Sequence, residues 1–323
     1  MNFTTPEYPV RLLLALQEGY CNLKCPMCYV HSPTSTQKVV KGIMPIDKMI
    51  QILDEFPDPK PTIGPITWAE PLMVKDFDKY LIAMKERGFP VTINTNGLLL
   101  TPEMARLMVE IEVDSVFISV DACTVETLKK VRGTSKLKEI HDAVHMLLSA
   151  RGKEKFPRIG VSFASQRDNE HEAEAFLEYW LKYVDVVRIG ERFDMNCLER
   201  GVVLPERVAC GSLYDTLVIN HLGVAAICCL DAASDVVVGN VFEEGCHAVW
   251  HGNEMTRLRK LHEAGKYKAI PLCADCEVWS GYVVEESNDG EVLVRKSPTI
   301  AHYNRLDRMG TWQREAYDKR YDK

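Results

Sequence analysis

No stretch of the chain approaches the roughly 18–20 apolar residues needed to cross a bilayer. The N-terminus, MNFTTPEYPVRLLLALQEG, also lacks a charged region followed by an apolar core and a cleavage site. The expectation is a cytoplasmic protein with no membrane partner. Basic charge is short as well. With 39 Lys and Arg against 46 Asp and Glu, the net charge is −7, so nucleic acid is not an expected partner. Internal repeats and low-complexity linkers are missing, and no cysteine occurs beyond Cys276. What remains is a 323-residue chain, 46% hydrophobic and 26% charged, enough for one large α/β domain and a smaller one.

Residues 10–190 alternate between apolar, strand-like runs and amphipathic stretches. Strands are expected in RLLLALQ (11–17), TIGPITW (62–68), PVTINTN (90–96), VDSVFISV (113–120), RIGVSFA (158–164) and VDVVRIG (184–190). Helices are expected over 46–56, 77–88, from Thr101 as N-cap, and near 136–149 and 169–183. A repeating strand–helix order implies a parallel sheet with helices outside. Six units predict a partial (β/α)6 TIM-like barrel over 1–195. Beyond it the pattern changes. TLVIN and VAAIC flank His221-Leu222-Gly223 as a hairpin within 196–282, with helices near 243–250 and 253–263. Asn288-Asp289-Gly290 then marks a second hairpin in a segment spanning 283–323, whose tail after 303 reads as a surface helix or as disordered.

In a reducing compartment, eleven cysteines point to metal or redox chemistry rather than disulfides. Cys21, Cys25 and Cys28 lie within eight positions after the first strand, where parallel barrels place active sites. Three thiolates are one short of a closed structural zinc site or a fully ligated iron–sulfur cluster. They can hold a cubane with one iron left open, which a small molecule can occupy. A zinc site completed by His31, or unconnected core thiols, are the alternatives.

Cys21-x3-Cys25-x2-Cys28 resembles the signature of radical S-adenosylmethionine (SAM) enzymes. The likeness continues in order through Trp68-Ala69-Glu70-Pro71 (Gly-Gly-Glu-Pro in the family), Asn94-Thr95-Asn96-Gly97, Ile118-Ser119-Val120-Asp121 and Val131-Arg132-Gly133. The resemblance implies a 4Fe–4S cluster on the three cysteines, with its open iron chelated by SAM, and reductive cleavage of SAM to a 5′-deoxyadenosyl radical. It also implies SAM contacts from the backbone near Trp68 and Ala69 together with Glu70, from Asn96, and from Ser119. Trp68 departs from the family's glycine. A reducing partner such as flavodoxin or ferredoxin is implied too.

Cys210-x12-Gly223-x4-Cys228 followed by Cys273-x2-Cys276 supplies four thiolates; read alone, these are a zinc site or a second cluster. The pattern resembles the auxiliary-cluster region of the SPASM/Twitch branch of radical SAM enzymes. Because no cysteine follows Cys276, the likeness is to the shorter Twitch form, a β-hairpin plus helix holding one fully ligated 4Fe–4S cluster. Its spacing is similar to that of the 2-deoxy-scyllo-inosamine dehydrogenases. Cys123, Cys197, Cys229 and Cys246 read as buried inert thiols. Cys197 is also a candidate hydrogen donor at the barrel mouth, and Arg188 and Arg192 are candidates for binding a substrate. The function expected is oxidation of an alcohol carbon in a small polyol, cyclitol or sugar. Arg192, Glu191 or Asp194 would handle the proton, and the auxiliary cluster would take an electron. The alternatives are a radical epimerase and a maturase of ribosomally made peptides. Only twenty residues precede Cys21, too few for the leader-binding domain many such maturases carry.

Overall fold

A computed structural model describes residues 3–194, 197–198 and 204–309. Six parallel strands carry the N-terminal part: β1 (Arg11–Leu14), β2 (Thr62–Gly64), β3 (Thr92–Thr95), β4 (Ser115–Ser119), β5 (Arg158–Ser165) and β6 (Val186–Glu191). Helices α1 (Ile46–Leu53), α2 (Phe77–Glu86), α3 (Pro102–Glu110), α4 (Val125–Arg132), α5 (Leu137–Arg151) and α6 (Ala173–Trp180) connect them. The α3 start is capped as its sequence predicts, with Thr101 Oγ1 accepting from Met104 N at 3.2 Å. Strand β2 is shorter than its apolar run. It ends at Gly64, and Pro65 begins the loop that carries Trp68 and Glu70. Helix α4 is short and rich in charge, which hid it from the apolar pattern.

The strands lie in the order β1-β2-β3-β4-β5-β6. The β2–β3 step is reduced to one parallel bridge, Ile63 with Val91. Buried residues on the strands, such as Leu12, Ile93, Ile118 and Val161, pack with Ile52, Met84, Met108, Leu147 and Trp180 of the helices. The strands carry apolar residues under the helices that cover the outer face, while polar residues such as Asn94, Ser119 and Arg188 fall toward the inner one.

Neither edge of this partial barrel is left open. Beyond β1 lies β7 (Thr216–Ile219), paired in parallel from Arg11↔Thr216 to Leu14↔Ile219. Next come β8 (Val224–Ala226) and β9 (Val237–Asn240), both antiparallel. At the other edge, the Asn-Asp-Gly hairpin forms from β10 (Glu285–Asn288) and β11 (Val292–Lys296). A further strand, β12 (Ile300–Arg305), pairs antiparallel with β6. This corrects the reading of the chain after 303: residues up to Arg305 are strand, and the part from 310 onward lies outside the described residues. Occupied edges protect a sheet from pairing with other chains.

Asp185 anchors the β5–β6–β12 corner. Its carboxylate accepts from Ile159 N at 2.7 Å and pairs with Arg151 of α5, and its carbonyl accepts from Arg305 N at 3.0 Å. Both side chains of the pair are nearly inaccessible. Asp185→Ala leaves a buried guanidinium without its countercharge, at a cost of about 3–5 kcal/mol. The expected outcome is a lower urea midpoint at unchanged slope; an unaltered midpoint would show that the pair contributes nothing net.

Candidate functional site

A cavity of about 480 Å³ opens at the C-terminal ends of the parallel strands. Cys21, Cys25 and Cys28 line it from the loop after β1, and Trp68, Ala69 and Glu70 from the loop after β2. Asn96, Ser119, Arg188, Glu191 and Arg192 contribute from the later strand ends. Cys25 is the most buried of the three thiols, and burial pushes it up to about 11; burial also raises Cys21. The three thiols bear on one another electrostatically, and no fourth cysteine lines the cavity. That donor set suits a cubane with one open iron. His31 does not complete a zinc site, because its Nε2 lies 2.7 Å from the Trp68 carbonyl oxygen. Among the described residues, no three His, Cys, Asp or Glu side chains are grouped to hold a single ion.

Glu70 is a structural hub. Its carboxylate accepts from Asn96 N at 2.8 Å, Thr95 Oγ1 at 2.5 Å and Leu72 N at 3.2 Å, while its own N–H donates to the Tyr20 carbonyl at 3.1 Å. Burial pushes the carboxyl above the usual carboxylate range, and the hydrogen bonds oppose that shift. Asn96 extends the tie to the cysteine loop, donating from Nδ2 to Asn22 Oδ1 at 2.7 Å. Glu70 therefore fixes the Trp68–Glu70 backbone and the cysteine loop together. Asn22 was not singled out by the sequence reading, since a lone asparagine between cysteines carries no spacing signal.

Trp68 faces two ways. Its ring lies tilted on Tyr29, with centroids 5.6 Å apart, and its indole N–H donates to the Cys229 carbonyl at 2.6 Å. Ser119 Oγ is 3.3 Å from Ser162 Oγ. Arg188 is half-buried over the Phe117 ring at 4.5 Å and donates to Asn94 Oδ1 at 2.8 Å; desolvation lowers its pKa to about 10. Arg132 pairs with Asp121 at 2.7 Å, and Asp121 Oδ1 in turn accepts from Ala164 N at 2.6 Å.

The second cysteine set assembles at the β7–β8 hairpin. Gly223 adopts φ +80° in its turn, where a side chain would strike the Phe242 ring. Cys210, Cys228, Cys273 and Cys276 are free thiols that bear on one another electrostatically. Burial pushes Cys210 and Cys273 up to about 12 and raises Cys228 well above its ordinary value. Four half-buried thiols with no disulfide fit a fully ligated cluster, whose binding would release their protons.

Cys197 lies outside the cavity lining. Its Sγ is 3.4 Å from the Asp275 carbonyl, between Cys273 and Cys276 in sequence, so it sits by the second set rather than at the barrel mouth. Of the cysteines read as buried, Cys246 is buried, Cys123 half-buried and Cys229 exposed, which corrects the reading of Cys229. The side chain of Asp194 lies outside the described residues.

The profile of the radical SAM superfamily matches residues 19–185, and that of SPASM, an iron–sulfur cluster-binding domain, matches residues 210–277. The chain is 32% identical over 211 residues to the tungsten-containing aldehyde ferredoxin oxidoreductase cofactor-modifying protein of Pyrococcus furiosus, covering 62% of this chain and 56% of that protein. It is 22% identical over 184 residues to GTP 3′,8-cyclase of Cronobacter sakazakii, covering 54% of each. The chain thus spans little more than half the length of these curated relatives. Its fold is similar to that of BtrN in complex with AdoMet and 2-DOIA (TM-score 0.57, 18% identity, 85% of this chain and 94% of that one). It is also similar to anSMEcpe with bound AdoMet (TM-score 0.65, 16% identity, 84% of this chain and 86% of that one).

Glu70→Gln replaces an acceptor that receives three hydrogen bonds with a group that must itself donate. The expected loss of stability is about 1–3 kcal/mol, read as a lower urea midpoint. An unchanged midpoint would mean the loops are held by something other than this carboxylate.

Proposed function

The chain belongs to the radical SAM superfamily, and from that premise we propose that it oxidises an alcohol carbon of a small polyol, cyclitol or sugar. The observation that carries this reading is the contrast between the two cysteine sets. Three thiols line a cavity with no fourth, while four others, outside that lining, bear on one another electrostatically. When bound, the cofactors supply reductive cleavage of SAM at the first cluster to a hydrogen-abstracting 5′-deoxyadenosyl radical, and a one-electron acceptor at the second.

In this reading Cys21, Cys25 and Cys28 hold the first cluster, and Cys210, Cys228, Cys273 and Cys276 the second. The Trp68–Ala69 backbone, Asn96 and Ser119 bind SAM. Glu70 contributes by fixing that backbone, since its carboxylate is already engaged. Arg188, Glu191 and Arg192 form the polar wall left for substrate. Oxidising an alcohol carbon to a ketone removes one hydrogen atom, one hydroxyl proton and one electron. Glu191 accepts the proton with Arg192 orienting the hydroxyl, and the electron passes to the second set. An external one-electron reductant of the flavodoxin or ferredoxin kind starts each turnover. The cavity size favours a small substrate. The structural likeness to a protein solved with AdoMet and 2-DOIA supports the cyclitol class.

Anaerobic reconstitution is expected to give roughly eight irons, four per cluster. Cys21, Cys25 and Cys28 changed together to alanine should remove about half the iron and all SAM cleavage. Protein that takes up zinc and no iron would end this reading.

Incubation with deuterated polyols should place label in 5′-deoxyadenosine. Label arriving only from peptide substrates would move the substrate to the peptide class. Cys273→Ala with Cys276→Ala should spare SAM cleavage and abolish ketone formation. Ketone made at the wild-type rate would reduce the second cluster to a structural brace.

A further inference from the structure

Arg207 lies three residues before Cys210 and belongs to no motif in the sequence. It is half-buried, and its guanidinium is clamped from three sides. Nη1 donates to the Ala274 carbonyl at 3.0 Å, Nη2 donates to the Cys273 carbonyl at 2.5 Å, and the plane lies 4.0 Å from the Tyr267 ring centroid. Nε is buried without a hydrogen-bond partner. Among the described residues, no ion pair ties this cation to a carboxylate. Its charge is felt at the thiols of both Cys273 and Cys276, where it opposes the effect of burial.

The surrounding charges make this cation stand out. His262, whose Nδ1 accepts from Cys210 N at 3.2 Å, is pushed down to about 4 by burial and then by Arg207, so it contributes no positive charge near neutrality. The carboxylates that bear on the set act with the opposite sign: Asp231 on Cys273, Glu277 on Cys276 and Asp215 on Cys210. Arg207 is thus the fixed cation held against the Cys-x2-Cys loop. A guanidinium keeps its charge at any pH a protein survives, and its planar fork holds both carbonyls at once.

We propose that Arg207 sets the reduction potential of the auxiliary cluster, poising it to accept an electron. One-electron reduction adds one negative charge to the cluster, and a cation held nearby stabilises the reduced form. Net charge and hydrogen bonding around the ligands are what tune iron–sulfur potentials over a wide range. The two backbone carbonyls locate the charge, and the Tyr267 face keeps it from turning out to water. The proposal rests on the reading of the second set as an electron acceptor, but its test needs no substrate.

The test is a redox titration of the holoenzyme followed by electron paramagnetic resonance. The first-cluster signal is identified by its change on adding SAM. Arg207→Gln should lower the auxiliary potential, so that the reduced-to-oxidised ratio at a fixed solution potential falls at least about tenfold, which is 59 mV for one electron. Arg207→Lys keeps the charge and loses the fork, and should stay within about threefold of wild type. A residue that merely pins the loop predicts the same change in both variants, and that pattern, or no change in either, would overturn the proposal. Should Arg207→Gln fail to retain its iron, Tyr267→Leu decides. It frees the guanidinium, so a fall in the same direction supports the proposal and an unshifted potential overturns it. If the potentials shift as expected while Cys273→Ala with Cys276→Ala still makes ketone, the tuning role stands and the acceptor reading alone falls.

Discussion

The parallel ladder between β1 and β7 is the constraint on which the two-site arrangement depends. It is four residues long, from Arg11↔Thr216 to Leu14↔Ile219. The C-terminal end of β1 runs into the loop of Cys21, Cys25 and Cys28. The C-terminal end of β7 runs into the hairpin whose returning strand leads to Cys228. The antiparallel return of β8, Val218↔Ala226, carries Cys228 back toward the Arg11–Thr216 end of the ladder, whereas Cys21, Cys25 and Cys28 follow its Leu14–Ile219 end. A buried clasp locks the register at that end. His221 in the hairpin turn meets Glu18 at 2.5 Å, and Gly42 admits the imidazole where a β-carbon would sit 2.0 Å from its Nε2. A residue other than glycine there would push the turn off the barrel. The spacing of the two sites is therefore set by backbone hydrogen bonds rather than by a linker.

How much of this was legible in the sequence depends on how local the cause is. Thr101 capping α3, the glycine turn at Gly223 and the Asn-Asp-Gly hairpin are local events, and the chain states them directly. The cysteine spacings are local within each cluster as well. Pairing is not. Nothing in TLVIN says that its free edge will meet β1 in parallel, because both edges of an apolar strand offer the same hydrogen-bonding groups. The same holds for β12. IAHYNR carries two basic residues and a polar majority, so it reads as surface. Its Ala301 and Asn304 are buried, and Asn304 is satisfied by the Leu293 and His302 carbonyls. Sequence reasoning also put Cys197 at the barrel mouth from chain proximity to β6. The chain instead carries it to the Asp275 carbonyl, a contact 78 positions away.

The buried charge follows a consistent division of labour. Carboxylates that build the scaffold are engaged by fixed donors: Glu70 by Asn96, Thr95 and Leu72, Asp185 by Ile159 and Arg151, and Asp121 by Arg132 and Ala164. Two other arginines, by contrast, rest on neutral partners. Arg188 rests on Phe117 and Asn94, and Arg207 on Tyr267 and two carbonyls. Burying a guanidinium against neutral partners costs solvation, and desolvation lowers Arg188 to about 10. Such a cation is retained where something of negative charge is to be held or formed nearby.

Trp68 shows how a departure from a motif can be absorbed without losing the motif's backbone. A glycine at this turn leaves its peptide groups open to a ligand; a tryptophan would close the site if its ring folded inward. Here the indole N–H is drawn to the Cys229 carbonyl, and the ring leans on Tyr29. The carbonyl of Trp68 is held by His31, so the peptide keeps one orientation whatever the ring does. The side chain thereby links the loop of the first cysteine set to the peptide beside Cys228. Together with Glu18–His221, it gives the two sites a second tie, made of side chains, at the end of the ladder where β1 and β7 stop. Two ties at one end resist a hinge that a single ladder would allow. The separation of the three-thiol and four-thiol sets is then tied to the sheet itself, which suits the proposed transfer of one electron between the cavity and a fixed acceptor.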